Sequence, residues 1–104
     1  MAEFVRVATV DEIADGTVQA FALNGETIAV ANCGGEFYAI NNICSHAYAE
    51  LAEGEVDTDE CTLECPLHGS AFDLATGRPR GLPAIVPVET YPVQVIGDEV
   101  QVAV

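Results

Sequence analysis

Val18-Gln19-Ala20-Phe21-Ala22-Leu23-Asn24-Gly25-Glu26-Thr27-Ile28-Ala29-Val30-Ala31 is a pair of short apolar-rich runs joined by one dipeptide. Asn-Gly is the pair that a two-residue type I′ turn prefers, because both of its central positions need a positive φ. The stretch therefore predicts an antiparallel hairpin of strands 18–23 and 26–31. Working outward, the same pattern of short alternating runs between turn residues recurs along the chain. Residues 4–8 start a strand, with Phe4, Arg6 and Ala8 on one face and Val5 and Val7 on the other. Residues 11–16 form a single helical turn ended by Gly16. Gly34-Gly35 turns the chain into a strand over 36–41. Strands 90–96 and 99–104 make a further hairpin about Gly97-Asp98, with Tyr91, Val93 and Val95 facing Val100, Val102 and Val104, and Pro92 directs that strand to an edge. No ten-residue stretch carries a sustained helical stripe, so the fold class is all-β.

A different composition lies between these outer strands. Residues 42–83 hold shorter strand candidates at 54–57, 61–64 and 70–73, together with Cys44-Ser45-His46 and Cys65-Pro66-Leu67-His68. The domain assignment is a single domain over 1–104, with a β base from 1–41 and 84–104 and an inserted subdomain at 42–83. The two strings give a C-x-H and a C-x-x-H pair, one thiolate and one imidazole each. That donor set suits an iron–sulfur cluster in which two histidines replace two cysteines on one iron, raising the potential above that of an all-cysteine cluster. Zinc is the chemical rival. A zinc site can be drawn from Cys61, Cys65, His68 and His46, leaving Cys44 idle.

Charge narrows the partners. The chain has 17 acidic residues against three arginines and no lysine, a net charge of -14. Nucleic acid and anionic membranes rely on cationic side chains and are excluded as partners. Glu50, Glu53, Glu55, Asp57, Asp59, Glu60 and Glu64 all fall between the two ligand strings. They read either as a solvated edge or as a collar that steers a basic partner to the metal site. Met1-Ala2-Glu3-Phe4-Val5-Arg6 lacks a basic n-region and a long apolar run, which predicts a soluble cytoplasmic protein. In that compartment the leftover Cys33 and Cys61 are expected as free thiols, Cys33 as a small buried filler and Cys61 in a similar role.

The double motif, with Gly69-Ser70, Phe72-Asp73 and Thr76-Gly77 downstream, resembles the Rieske iron–sulfur proteins, and most of all the small ferredoxins of bacterial ring-hydroxylating oxygenase systems. The resemblance implies an antiparallel β-sandwich or barrel base with a small β cluster-binding subdomain and one [2Fe-2S] cluster. It places Cys44 and Cys65 on the inner iron and His46 and His68 on the outer one, bound through Nδ1 with Nε2 near the surface. It also implies a monomeric one-electron carrier between a flavin-containing ferredoxin reductase and a terminal oxygenase, with transient, electrostatic association. The alternative within the resemblance is a small subunit of a larger reductase, such as assimilatory nitrite reductase.

Where the respiratory Rieske proteins carry a disulfide between the ligand loops, this chain has Ala49 and Leu67. The serine and tyrosine hydroxyls that those proteins aim at the cluster correspond here to Ser70 and Phe72. One donor is missing, which predicts a potential toward the low end of the Rieske range of roughly −150 to +300 mV. The chain holds two histidines, both taken by the cluster. A mononuclear iron held by two histidines and a carboxylate, or a histidine general base, cannot be built from what is left. The chain therefore reads as a carrier and not as an enzyme.

Overall fold

The computed structural model describes residues 3–44, 49–67, 69–80 and 86–104. The Asn24-Gly25 turn forms as expected, with φ of 54° and 84°, and joins β2 (Val18–Leu23) to β3 (Glu26–Cys33). Their register runs from Leu23 opposite Glu26 to Val18 opposite Ala31. β4 (Glu36–Asn41) pairs with the other edge of β3, and β8 (Thr90–Tyr91) closes this sheet beyond β4. A second sheet orders β1 (Phe4–Thr9), β10 (Glu99–Ala103) and β9 (Val93–Ile96). A third holds β5 (Glu55–Asp57), β6 (Thr62–Glu64) and β7 (Ala71–Asp73). All of these pairings are antiparallel, as the all-β reading requires.

β3 explains how the layers stack. Its residues from Ile28 to Cys33 are all buried, so both faces of the strand are covered. Ile28 and Val30 face a core shared with Ala8, Ile13, Ala39, Val100 and Val102. Ala29, Ala31 and Cys33 face the other core, with Ile40, Cys44, Leu51, Leu63, Cys65, Phe72, Leu74 and Val88. Large β-branched residues fill the gap to the second sheet, while alanines let the segments around Cys44 and Cys65 approach the opposite face. A continuous apolar run is the pattern of a strand buried on both sides.

Four local expectations are corrected. Pro92 interrupts the predicted strand 90–96: Thr90 and Tyr91 pair with Ile40 and Ala39, whereas Val93 and Val95 pair with Val102 and Val100 in the second sheet. Without an N–H, Pro92 cannot continue a ladder, so the strand changes sheets there. Its edge expectation holds for both halves, since β8 and β9 are each terminal in their sheets. The predicted inward face fails at Val95, which is 44% exposed. In β1 a register shift between Arg6 and Ala8 breaks the simple alternation, burying Ala8 while Phe4 stays exposed. The helical turn is a short 3-10 turn at Val10–Glu12, with Gly16 at φ 80° beyond it.

Cys33 and Cys61 are not free thiols. They form a disulfide with a Cα–Cα distance of 5.8 Å, inside the span such bonds need. The expectation rested on compartment chemistry, whereas the pairing follows from topology: the end of β3 and the turn between β5 and β6 meet in space.

Candidate metal centre

Each ligand string opens a loop whose ends the backbone ties together. In the first, Ile43 and Glu50 form an isolated antiparallel bridge, and the Cys44 N–H donates to the Ala49 carbonyl at 2.9 Å. Asn42 sits directly before the loop and is fully buried. Its Oδ1 accepts from the Ala52 N–H at 2.9 Å, and its Nδ2 donates to Glu50 Oε1 at 3.1 Å. Its backbone N–H donates to the Thr27 carbonyl at 2.9 Å, and its carbonyl accepts from the Leu51 N–H at 2.6 Å. Asn42 thus joins β3, the start of the loop and the 3-10 turn at Leu51–Glu53 that follows it.

The second loop leaves the end of β6. The Cys65 N–H donates to the Ser70 carbonyl at 2.6 Å, and the Gly69 N–H donates back to the Cys65 carbonyl at 3.0 Å. Gly69 has φ +75°, which answers why glycine stands there, and a Cβ at this site would meet nothing within 4 Å. Conformation, not close approach, is the requirement. The downstream residues Phe72-Asp73 and Thr76-Gly77 also have structural reasons. Phe72 is fully buried, and Asp73 Oδ1 accepts from the Ala75 and Thr76 N–H groups at 2.9 and 3.3 Å. Gly77, at φ +76°, passes so close to the Val88 carbonyl that any Cβ would collide with it. These contacts hold the segment after the second loop against the base.

Cys44 and Cys65 are therefore brought together in one hydrophobic core, both buried and both outside the disulfide. His46 and His68 lie outside the described residues, as do Ser45 and Tyr48. The zinc site drawn through Cys61 is overturned, because that sulfur is bonded to Cys33. Two buried thiols in an apolar setting, each followed in sequence by an imidazole, fit the donor set of a mixed cysteine–histidine iron–sulfur cluster. Ser70 is buried beside the second loop, and the position opposite in character, Phe72, offers no hydroxyl.

The outer end of the two loops is an open groove lined by Thr27, Ile43, Ala49, Glu50, Glu53, Pro66 and Leu67. Leu67 is 57% exposed and, with Ile43 and Pro66, gives this groove its apolar lining. Glu50 and Glu53 give the same rim its negative charge. Asn42 and the Cys33–Cys61 bond were missed as parts of this site. A buried asparagine before a ligand loop carries no periodic signal, and two cysteines 28 positions apart do not announce their pairing.

Comparison with known proteins agrees with this geometry. The sequence model of the Rieske [2Fe-2S] domain matches residues 3–92. The 3-phenylpropionate/cinnamic acid dioxygenase ferredoxin subunit of Escherichia coli (strain K12) is 52% identical over 73 residues, 70% of this chain and 68% of that one. Among solved structures, the ferredoxin of carbazole 1,9a-dioxygenase from Nocardioides aromaticivorans IC177 superposes with a TM-score of 0.92 at 43% identity, covering 95% of each chain. A complex of reduced oxygenase and oxidized ferredoxin in carbazole 1,9a-dioxygenase contains a chain that matches with a TM-score of 0.90 at 37% identity, covering 96% of this chain and 92% of that one.

Proposed function

The chain belongs to the Rieske [2Fe-2S] domain family, and from that premise we propose that Cys44 and Cys65 hold the inner iron of its cluster and His46 and His68 the outer one. The protein carries a Rieske-type [2Fe-2S] cluster and is the ferredoxin, an electron carrier and not a catalyst, of a ring-hydroxylating dioxygenase system. When bound, the cluster supplies one-electron redox chemistry at a potential set by its ligands, its hydrogen bonds and its burial. The chain's own residues do the rest. Cys44 and Cys65 keep the inner end dry within the core, and the two tied loops fix the spacing of their sulfurs. Residues 42–83 act as the cluster-binding subdomain on a base formed by 1–41 and 84–104.

The electron donor we propose is a flavin-containing reductase and the acceptor a terminal oxygenase, each met in turn by a monomeric, cytoplasmic carrier. Both dock at the outer end of the ligand loops. Ile43, Pro66 and Leu67 give the contact its apolar centre, and Glu50 and Glu53 its acidic rim. Such a small, charged contact suits fast encounter and release more than tight binding. The observation that carries the reading is the pairing of two buried thiols at the mouths of two tied loops.

Absorption and electron paramagnetic resonance before and after dithionite test it. A reversible one-electron change with a rhombic signal of low average g is expected, and His46→Ala or Cys65→Ser is expected to abolish it. Turnover of a candidate oxygenase that proceeds equally without this protein would sink the carrier role.

A further inference from the structure

Among the described residues, two non-glycine positions have a positive φ, Asn24 and Cys61. Asn24 belongs to its turn type. Cys61, at +52°, stands where the hairpin between β5 and β6 favours glycine, in a conformation that L side chains rarely adopt. What that position gains from cysteine is its sulfur, bonded to Cys33 at the end of β3. β3 is buried on both faces, so Cys33 is a firm anchor. Cys61 lies immediately before β6, and Cys65 immediately after it. A covalent tie thus holds one end of a three-residue strand, and the proposed cluster ligand stands at the other.

The other ties at this turn are exposed or local. Asp57 Oδ1 accepts from the Asp59 and Glu60 N–H groups at 2.9 and 3.2 Å, and Arg80 pairs with Glu60 at 3.0 Å and with Asp73 at 3.2 Å. The Leu74 N–H donates to the Cys61 carbonyl at 3.0 Å. These stay within the small sheet and its flanking segments; the base is reached by the disulfide, by the Cys33 Sγ–Thr58 carbonyl contact at 3.5 Å and by the packing of Leu63 in one core with Ala29 and Ala31, and of these three the disulfide is the covalent one. We propose that the Cys33–Cys61 disulfide is a redox-reversible clasp on β6, opened by a dithiol, and that opening it loosens the hold on Cys65 and hence on the cluster. The proposal rests on the reading of Cys65 as a ligand.

Cys61 is half-buried and Cys33 is buried, so Cys61 is the more open side of the bond and the side a dithiol meets first. A thiolate of the dithiol bonds to the Cys61 sulfur as the bond to Cys33 breaks and Cys33 takes up a proton. The second thiol of the reagent then displaces Cys61. The dithiol ends as a disulfide, and two electrons and two protons have passed to Cys33 and Cys61. Once freed, Cys61 keeps the Leu74 hydrogen bond to its carbonyl but loses the covalent tie that offsets its left-handed conformation, and the start of β6 relaxes. In a reducing cell a disulfide of this kind reports the thiol poise.

The test uses the cluster-loaded protein under argon. Alkylation and intact mass count the accessible thiols before and after dithiothreitol, and iron release to a chelator is timed in each state. Dithiothreitol is expected to expose Cys33 and Cys61 to alkylation and to speed iron release about tenfold, equivalent to about 1.4 kcal/mol of lost hold. Cys33→Ser and Cys61→Gly are expected to release iron at the fast rate with or without the dithiol. Because glycine accepts the positive φ, Cys61→Gly remains informative if Cys33→Ser does not fold. Equal release from oxidised and reduced protein overturns the proposal, as does a dithiol effect of the same size in Cys61→Gly. A protein that shows no cluster spectrum before any dithiol is added refutes the ligand reading itself, which separates the two failures.

Discussion

Replacing Asn42 with alanine tests whether the first ligand loop is held from behind by a single buried amide. The substitution removes the acceptor that serves the Ala52 N–H at 2.9 Å and the donor that serves Glu50 at 3.1 Å. The Ala52 N–H is half-buried, and leaving it without its partner costs about 2 kcal/mol, within the range for such groups. Glu50 is exposed and regains water, so its loss adds little. The vacated volume at a fully buried position adds about 1 kcal/mol. Together these come to about 3 kcal/mol. At about 2.1 cal/mol/K per residue, a chain of 104 residues has an unfolding entropy of about 0.22 kcal/mol/K, so the midpoint should fall by about 14 °C.

Thermal melting followed by circular dichroism, alongside loss of the visible cluster absorption, measures this. Cluster loss should precede unfolding in Asn42→Ala, because Cys44 lies two residues away in the loop that has lost its tie. Asn42→Asp keeps an acceptor for Ala52 but sets a second carboxylate against Glu50, and adding Glu50→Gln should recover most of that loss. An Asn42→Ala protein that melts within about 3 °C of the parent, a shift corresponding to well under 1 kcal/mol, would refute the reasoning.

Other outcomes follow from the same contacts. Phe72→Tyr places a hydroxyl in the core that contains Cys65, and a new hydrogen bond worth about 1 kcal/mol to the reduced cluster raises the potential by about 40 mV; an unchanged or lower value in a folded variant counts against it. The Glu12 carboxylate accepts from the Thr9 N–H at 2.8 Å and from the Thr9 hydroxyl at 3.1 Å, which holds it below the usual carboxylate range. Its folded value is depressed, so its contribution is present above the unfolded value near 4.5 and is lost as the pH falls through the folded one. A side-chain NMR titration of Glu12 should therefore have its midpoint below that value, and Thr9→Val should move it only part of the way back, because the larger contribution, from the Thr9 backbone N–H, remains. The rate of electron delivery to the oxygenase should fall steeply between about 10 and 150 mM salt, as the screening length shrinks from roughly 30 to 8 Å. A flat salt profile would remove the acidic rim from the encounter.

Much of this was legible along the chain because the signals are local. Asn24-Gly25 dictates a turn through φ alone, and strand 36–41 follows from the Gly34-Gly35 turn that precedes it. The strands of the third sheet came out one residue shorter at their starts than expected, at Glu55, Thr62 and Ala71, where turn geometry overrides side-chain preference. The run from Ile28 to Ala31 was readable as strand, but not its continuation through Asn32 and Cys33 nor its cover on both faces. Periodicity reports how side chains alternate and is silent about what each face meets.

The ligand strings, the donor chemistry and the acidic surplus belong to the sequence itself, since they depend on which residues are present and how far apart they stand. Pro92 also spoke locally, but the exchange of sheets that it permits did not. Three features depended on distances the chain does not encode locally: the partnership of Cys33 with Cys61, the burial of Asn42 behind Cys44, and the meeting of Cys44 with Cys65 in one core. Each joins segments that are remote along the backbone, and only packing on β3 brings them within bonding or contact range. The sequence determined which groups could ligate a cluster, and the tertiary structure decided which cysteines are bonded to each other and which two stand outside the bond.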